Sequence, residues 1–129
     1  MKGIIVGAGE VGCYLAEQLS QKGIDITVIE ADPEQSQKVD EALDVKVFHG
    51  NGSSASMLDR AGVTDADMVL SVTSNDLTNL ICCSLTKAMN PDAVTVARVH
   101  DATYADHSLI NYQLHFRKRQ ATQAKEATA

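Results

Sequence analysis

The chain has 129 residues, of which 44% are hydrophobic and only 4% aromatic, with no Trp and a formal net charge of -6. That length fits one domain with a real core, and the acidic balance excludes a general nucleic-acid or anionic-membrane surface, both of which need a basic footprint. A core so poor in aromatics has to be built from Val, Ile, Leu and Ala, which suits a parallel sheet covered on both faces.

In chain order, KGIIVGAG reads as a buried strand ending in glycine. EVGCYLAEQLSQKG follows as a helix, with Val11, Leu15 and Leu19 as its apolar stripe and Gly23 as its C-terminal cap. IDITVIE is a second strand. Asp32-Pro33-Glu34-Gln35 starts a helix that runs to about Leu43, with Asp as N-cap, Pro at the first position and Gln at the third. VKVFHG is a short third strand, after which Asn51-Gly52-Ser53 turns the chain into a short helix, SSASMLDRAG. ADMVLSVT is the fourth strand. SNDLTNLICCSLTKAMN is a helix with Leu77, Leu80, Ile81 and Leu85 on one side, stopped by Asn90-Pro91, and AVTVARV is the fifth strand.

This alternation predicts an α/β fold: a Rossmann-like, doubly wound parallel sheet with right-handed crossovers and helices on both faces. DATYADHSLINYQLHF reads as a further helix, which sets the expected domain at 1–116. RKRQATQAKEATA, residues 117–129, has no apolar stripe and is expected to be a polar tail, disordered or a solvated helix extension.

Cys13, Cys82 and Cys83 form an odd set with two neighbours, a poor disulfide framework, and read as reduced thiols. No Cys/His cluster suggests a metal. No signal peptide precedes the first strand, and no apolar run approaches the roughly 18 residues of a membrane span. A cytoplasmic location is the expectation.

The glycines of IIVGAGEVG are spaced G-x-G-x-x-G, behind a strand and ahead of a helix. Gly7 allows the tight turn, Gly9 removes a side chain where a pyrophosphate approaches the backbone, and Gly12 lets the helix pack close to the strand. The helix-start N–H groups around Glu10 and Val11 face the phosphates. Glu30, at the end of the second strand, is placed to accept both ribose hydroxyls of an adenosine and to repel a 2′-phosphate, which favours NAD over NADP. Asp32 is the weaker candidate, because capping already explains it. Gly50 and Asn51 follow the third strand and flank the adenine. Thr73 and Ser74 follow the fourth and offer hydroxyls and backbone groups to ribose or phosphate. Asn75 and Asp76 either join them or only start the next helix. Arg98, near the end of the fifth strand, neutralises the pyrophosphate, reaches the far ribose, or only pairs with a carboxylate. An acid at Glu10 beside phosphates suits a dinucleotide better than a triphosphate.

Together, GAGEVG, DITVIEAD, GNGSS, AGVTDADMVLSVTSNDLTN and VARVHD resemble the RCK N-terminal domain, also called the KTN or TrkA-N domain, over about residues 1–116. The resemblance implies a Rossmann-like fold that binds NAD, NADH or adenine nucleotides and regulates potassium conductance or transport. It also implies a homodimer or higher ring attached to a membrane channel or transporter subunit, at the inner face of the cell membrane. The family's ligand residues map onto Gly7, Ala8, Gly9, Glu10, Val11, Glu30, Thr73, Ser74 and Arg98. Some ATP-binding relatives carry Arg where Glu10 stands, so ATP or ADP is the weaker expectation. Full subunits continue into a sixth strand and a C-terminal domain where this chain has RKRQATQAKEATA.

The residues favour a regulatory binding module over a small NAD-dependent oxidoreductase or a redox-sensing regulator. No Tyr-x-x-x-Lys or comparable constellation is present, and His49 and His100 are the histidines nearest the crevice. The segment carrying Leu109, Ile110, Tyr112, Leu114 and Phe116 is expected at the centre of the homodimer.

Overall fold

The computed structural model describes residues 1–104. Five strands and four helices follow in the expected alternation: β1 (Lys2–Val6), α1 (Glu10–Gln21), β2 (Asp25–Glu30), α2 (Pro33–Ala42), β3 (Lys46–His49), α3 (Ala55–Arg60), a 3-10 turn (Val63–Asp65), β4 (Met68–Ser71), α4 (Asp76–Met89) and β5 (Val94–Ala97). All strand pairs are parallel, in the order β3-β2-β1-β4-β5. The chain winds outward from β1 to β3, then returns to lay β4 against the other side of β1. The order therefore reverses between β1 and β4, and a crevice opens there beyond the carboxyl ends of the strands.

The alternation of side chains along each strand divides the core in two. Ile4, Val6, Ile29 and Val69 join Leu58, Val63 and Cys82 on the α3–α4 face. Ile5, Ile26, Val28 and Val72 join Ala16 and Val39 on the α1–α2 face.

Gly23 ends α1 as expected: its φ is +84°, its N–H donates to the Ser20 carbonyl, and the Ile24 N–H donates to Leu19. The predicted stripes hold in part: Leu15 and Leu19 of α1 and Leu85 of α4 pack half-buried against the core, but the most buried positions lie beside them. In α1 the side facing the sheet is Gly12 and Ala16, while Val11 is exposed. A close helix–strand approach selects small residues here, because a Cβ on Gly12 would lie 1.7 Å from the Gly7 carbonyl oxygen. In α4, Asn79, Cys82 and Thr86 are buried, while Leu77 and Ile81 are exposed. Each buried polar side chain has a partner, as burial requires: Thr86 Oγ1 donates to the Cys82 carbonyl, and Asn79 bonds the ends of two strands. Asn90 stops α4 and ties it to the preceding turn, donating to the Val63 and Ala66 carbonyls.

The compact unit that carries the sheet spans Met1–Arg98. In the following unit the described residues form a turn, with the Thr103 N–H donating to Asp101 Oδ1. The expected domain end at Phe116, the apolar segment with Ile110 and Leu114, and the tail lie outside the described residues. Within those residues no helix is long and apolar enough to cross a membrane.

Candidate functional site: the crevice between β1 and β4

The glycine turn is built by three different constraints. Gly7 has φ +98°, and a Cβ on it would press on the Thr73 backbone at 2.9 Å. Gly12 is held by the contact with the Gly7 carbonyl. Gly9 is exposed, with nothing within 4 Å of a would-be Cβ. Packing explains the first and third glycines and leaves the second unexplained. Gly9 is also the N-cap of α1 and supplies no side-chain cap, whereas Asp32, Ser54 and Asn75 cap α2, α3 and α4. The first turn of α1, at Glu10 and Val11, therefore presents its N–H groups over an open glycine.

Glu30 reaches into this turn. Its Oε1 accepts the Ala8 N–H at 2.8 Å, and its Oε2 accepts the Asp32 N–H at 2.9 Å. A carboxylate has about four acceptor positions, so two accepted bonds leave capacity for hydroxyl donors. The Ala8 methyl is fully buried, and the Ala8 carbonyl accepts from Gln35 Nε2 at 2.6 Å and from Cys13 Sγ at 3.1 Å. Ala8 thus fixes the turn, and its own N–H is already committed. Gln35, at the third position of α2, crosses to the glycine turn, and Glu30 takes the Asp32 N–H. Asp32 caps α2, its Oδ1 accepting from the Glu34 N–H at 3.0 Å.

Beyond β3, the Gly50 N–H donates to the Glu30 carbonyl at 2.9 Å, which brings Gly50 and Asn51 beside the Glu30 end of β2. Asn51 Oδ1 accepts from Ser53 N and Ser53 Oγ, so its side chain shapes the turn. Gly52 packs on β1, where a Cβ would meet Val6 Cγ1 at 2.2 Å. His49 Nε2 is 3.0 Å from the Ala31 carbonyl.

On the other side, β4 and β5 end around Asn79. The Thr73 hydroxyl turns inward, donating to Asn79 Oδ1 at 2.7 Å and accepting from the Asn75 N–H at 3.2 Å. The Thr73 N–H and carbonyl are also bonded to Asn79, at 3.0 and 2.9 Å, so Thr73 is tied into the fold through its backbone as well as its hydroxyl. Ser74 is exposed. Asn75 is the N-cap of α4, accepting from the Thr78 N–H at 3.0 Å. The Arg98 N–H donates to the Ser71 carbonyl at 2.9 Å.

The strand ends thus gather Gly7 to Val11, Glu30, Gly50, Asn51, Thr73, Ser74 and Arg98 at one edge of the sheet. Gln35 and Asn79 were not singled out from the sequence. Gln35 carries a signal of its own as a helix-start residue. Asn79 carries none, since a polar residue within a helix ordinarily faces solvent.

The sequence profile of the TrkA-N domain matches residues 3–111. The Trk system potassium uptake protein TrkA of Halomonas elongata is 38% identical over 104 residues, which cover 81% of this chain and 23% of that protein. The chain thus spans about a quarter of the length of this curated relative. Among solved structures, the TrkA-N domain of the inner membrane protein ybaL from Escherichia coli matches with a TM-score of 0.76 at 21% identity, covering 98% of this chain and 95% of that one. The AMP-bound form of the Shewanella denitrificans Kef CTD matches with a TM-score of 0.75 at 24% identity, covering 88% and 68%. These two likenesses bear on the fold, which they share, while the profile match and the Halomonas relative carry the assignment: the chain belongs to the TrkA-N domain family.

Proposed function

We propose that the chain is a nucleotide-binding regulatory domain of a potassium uptake system, taking NAD or NADH in the crevice between β1 and β4. In this reading the first turn of α1 receives the pyrophosphate over Gly9, and Glu30 receives the adenosine ribose. Gly50 and Asn51 flank the adenine, and the loop of Thr73 and Ser74 with Arg98 meets the other half. The observation that carries it is the combination at α1: an uncapped helix start over a glycine with open space, facing a carboxylate at the end of the neighbouring strand. The reading of potassium transport rests on the name of the Halomonas relative, and that of an adenine nucleotide is supported by the AMP of the Kef structure.

The domain acts as a binding module and not as an oxidoreductase. Its output is a shift between two conformations that bind the nucleotide unequally. It reports to a membrane channel or transporter subunit from the cytoplasmic face, as a homodimer or a larger ring. Calorimetric titration of the chain with NAD, NADH, ATP and ADP tests the site. Binding of NAD or NADH ahead of ATP and ADP is expected, and absence of binding by either dinucleotide overturns the reading.

A further inference from the structure

Asn79 is fully buried in α4, and every polar position of its side chain is used. Its Oδ1 accepts from Ser71 Oγ at 3.0 Å, from the Thr73 N–H at 3.0 Å and from the Thr73 hydroxyl at 2.7 Å. Its Nδ2 donates to the Thr73 carbonyl at 2.9 Å and to the Arg98 carbonyl at 2.8 Å. The backbone N–H on one side and the two carbonyls on the other fix which end of the amide is oxygen. No other side chain among those described bonds both the β4 end and the β5 end.

We propose that Asn79 is the positioning residue for the half of the crevice that receives the non-adenosine part of a dinucleotide. One amide group holds the Thr73 backbone on both its N–H and its carbonyl, and holds the carbonyl of Arg98. The loop after β4 and the guanidinium-bearing residue after β5 are thereby set in register with each other. The adenosine half is fixed separately, by Glu30 on the Ala8 N–H and by Gln35 on the Ala8 carbonyl, with no contribution from Asn79. Buried, fully satisfied polar networks of this kind specify one arrangement, because any alternative leaves a buried donor or acceptor unpaired.

This inference rests on the nucleotide reading above and predicts a split that a purely structural role does not. Asn79→Asp keeps the acceptor toward Ser71 and Thr73 and places lone pairs against the Thr73 and Arg98 carbonyls. The test compares NADH and AMP affinities by calorimetry in wild type, Asn79→Asp and the smaller Asn79→Ser. NADH affinity is expected to fall about tenfold or more in both variants, the scale of lost or unsatisfied buried hydrogen bonds, while AMP affinity stays within about twofold. Amide exchange at Thr73, followed by NMR without nucleotide, is expected to speed up in Asn79→Ser. Equal losses for NADH and AMP, or unchanged NADH affinity, overturn the proposal while the nucleotide reading stands. Failure of both variants to fold makes Asn79 a fold residue and overturns it as well. A wild-type chain that binds neither ligand overturns the nucleotide reading itself.

Discussion

The Glu30 carboxylate and the Ala8 N–H meet at 2.8 Å, joining the end of β2 to the middle of the glycine turn. In the proposed function, the acid that takes the ribose therefore also holds the loop that takes the pyrophosphate. Glu30→Ala removes both functions. It is expected to weaken NADH binding by about 1.5–3 kcal/mol, the range for a hydrogen bond to a charged group. It is also expected to lower Tm, because the Ala8 N–H loses its partner. Calorimetry paired with a thermal melt checks this, and an unchanged affinity in a folded variant removes Glu30 from the site.

Gly9 and Gly12 separate binding from folding. A methyl on Gly9 meets nothing within 4 Å, so Gly9→Ala is expected to melt close to wild type while losing NADH affinity. A methyl on Gly12 lies 1.7 Å from the Gly7 carbonyl oxygen, and backbone has to move to admit it. Overpacking of this kind costs about 1–3 kcal/mol or more. At about 4–8 °C per kcal/mol for a domain of this size, Gly12→Ala is expected to lower Tm by roughly 10 °C or more. Parallel melts and titrations of the two variants are the measurement.

Asn75 is the N-cap of α4. Replacing such a cap by Ala typically costs about 1 kcal/mol. Asn75→Ala is expected to show that loss in urea denaturation, with m unchanged. NADH affinity is expected to change far less than in Asn79→Asp, which separates the helix cap from the amide clip one turn further on.

The thiols predict an alkaline limit to stability. Burial pushes Cys83 up to about 12 from an ordinary 9.0, with a smaller push in the same direction from Cys82 and an opposing one from Lys87. Burial also raises Cys82, with hydrogen bonds to Ser71 and Thr86 opposing it, and raises Cys13. A thiol held protonated in the fold costs nothing below the unfolded value. As pH rises from about 9 toward 12, the unfolded chain ionises and the folded one resists, so stability falls. Tm measured from pH 8 upward is expected to drop above about 9, and to drop less in Cys83→Ser. A disulfide-exchange reagent at pH 8 is expected to label the native chain slowly and the urea-unfolded chain at once.

The sheet was legible because its strands are short apolar runs and its helix starts and stops are written locally, in Asp32-Pro33, Asn75 and Gly23. The helix faces were less so. Leu15, Leu19 and Leu85 pack half-buried on the core as their stripes predict, while Val11, Leu77 and Ile81 of the same stripes are exposed and the most buried positions are Gly12, Ala16, Asn79, Cys82 and Thr86. Close approach selected small residues in α1, and hydrogen bonds to strand ends selected polar ones in α4. The candidate crevice was legible at its glycines and at Glu30, whose spacing is tied to one β-α-β unit. It was not legible at Gln35 or Asn79, whose partners Ala8 and Arg98 are brought near only by the fold. Thr73 was read for its hydroxyl and backbone groups, and bonds to Asn79 draw both inward.

The contact between Gly12 and the Gly7 carbonyl also has a mechanical meaning. With no room for even one methyl between them, the start of α1 cannot shift without pressing on the turn that leaves β1, so a ligand that moves one is expected to move the other, since close-packed interiors transmit strain.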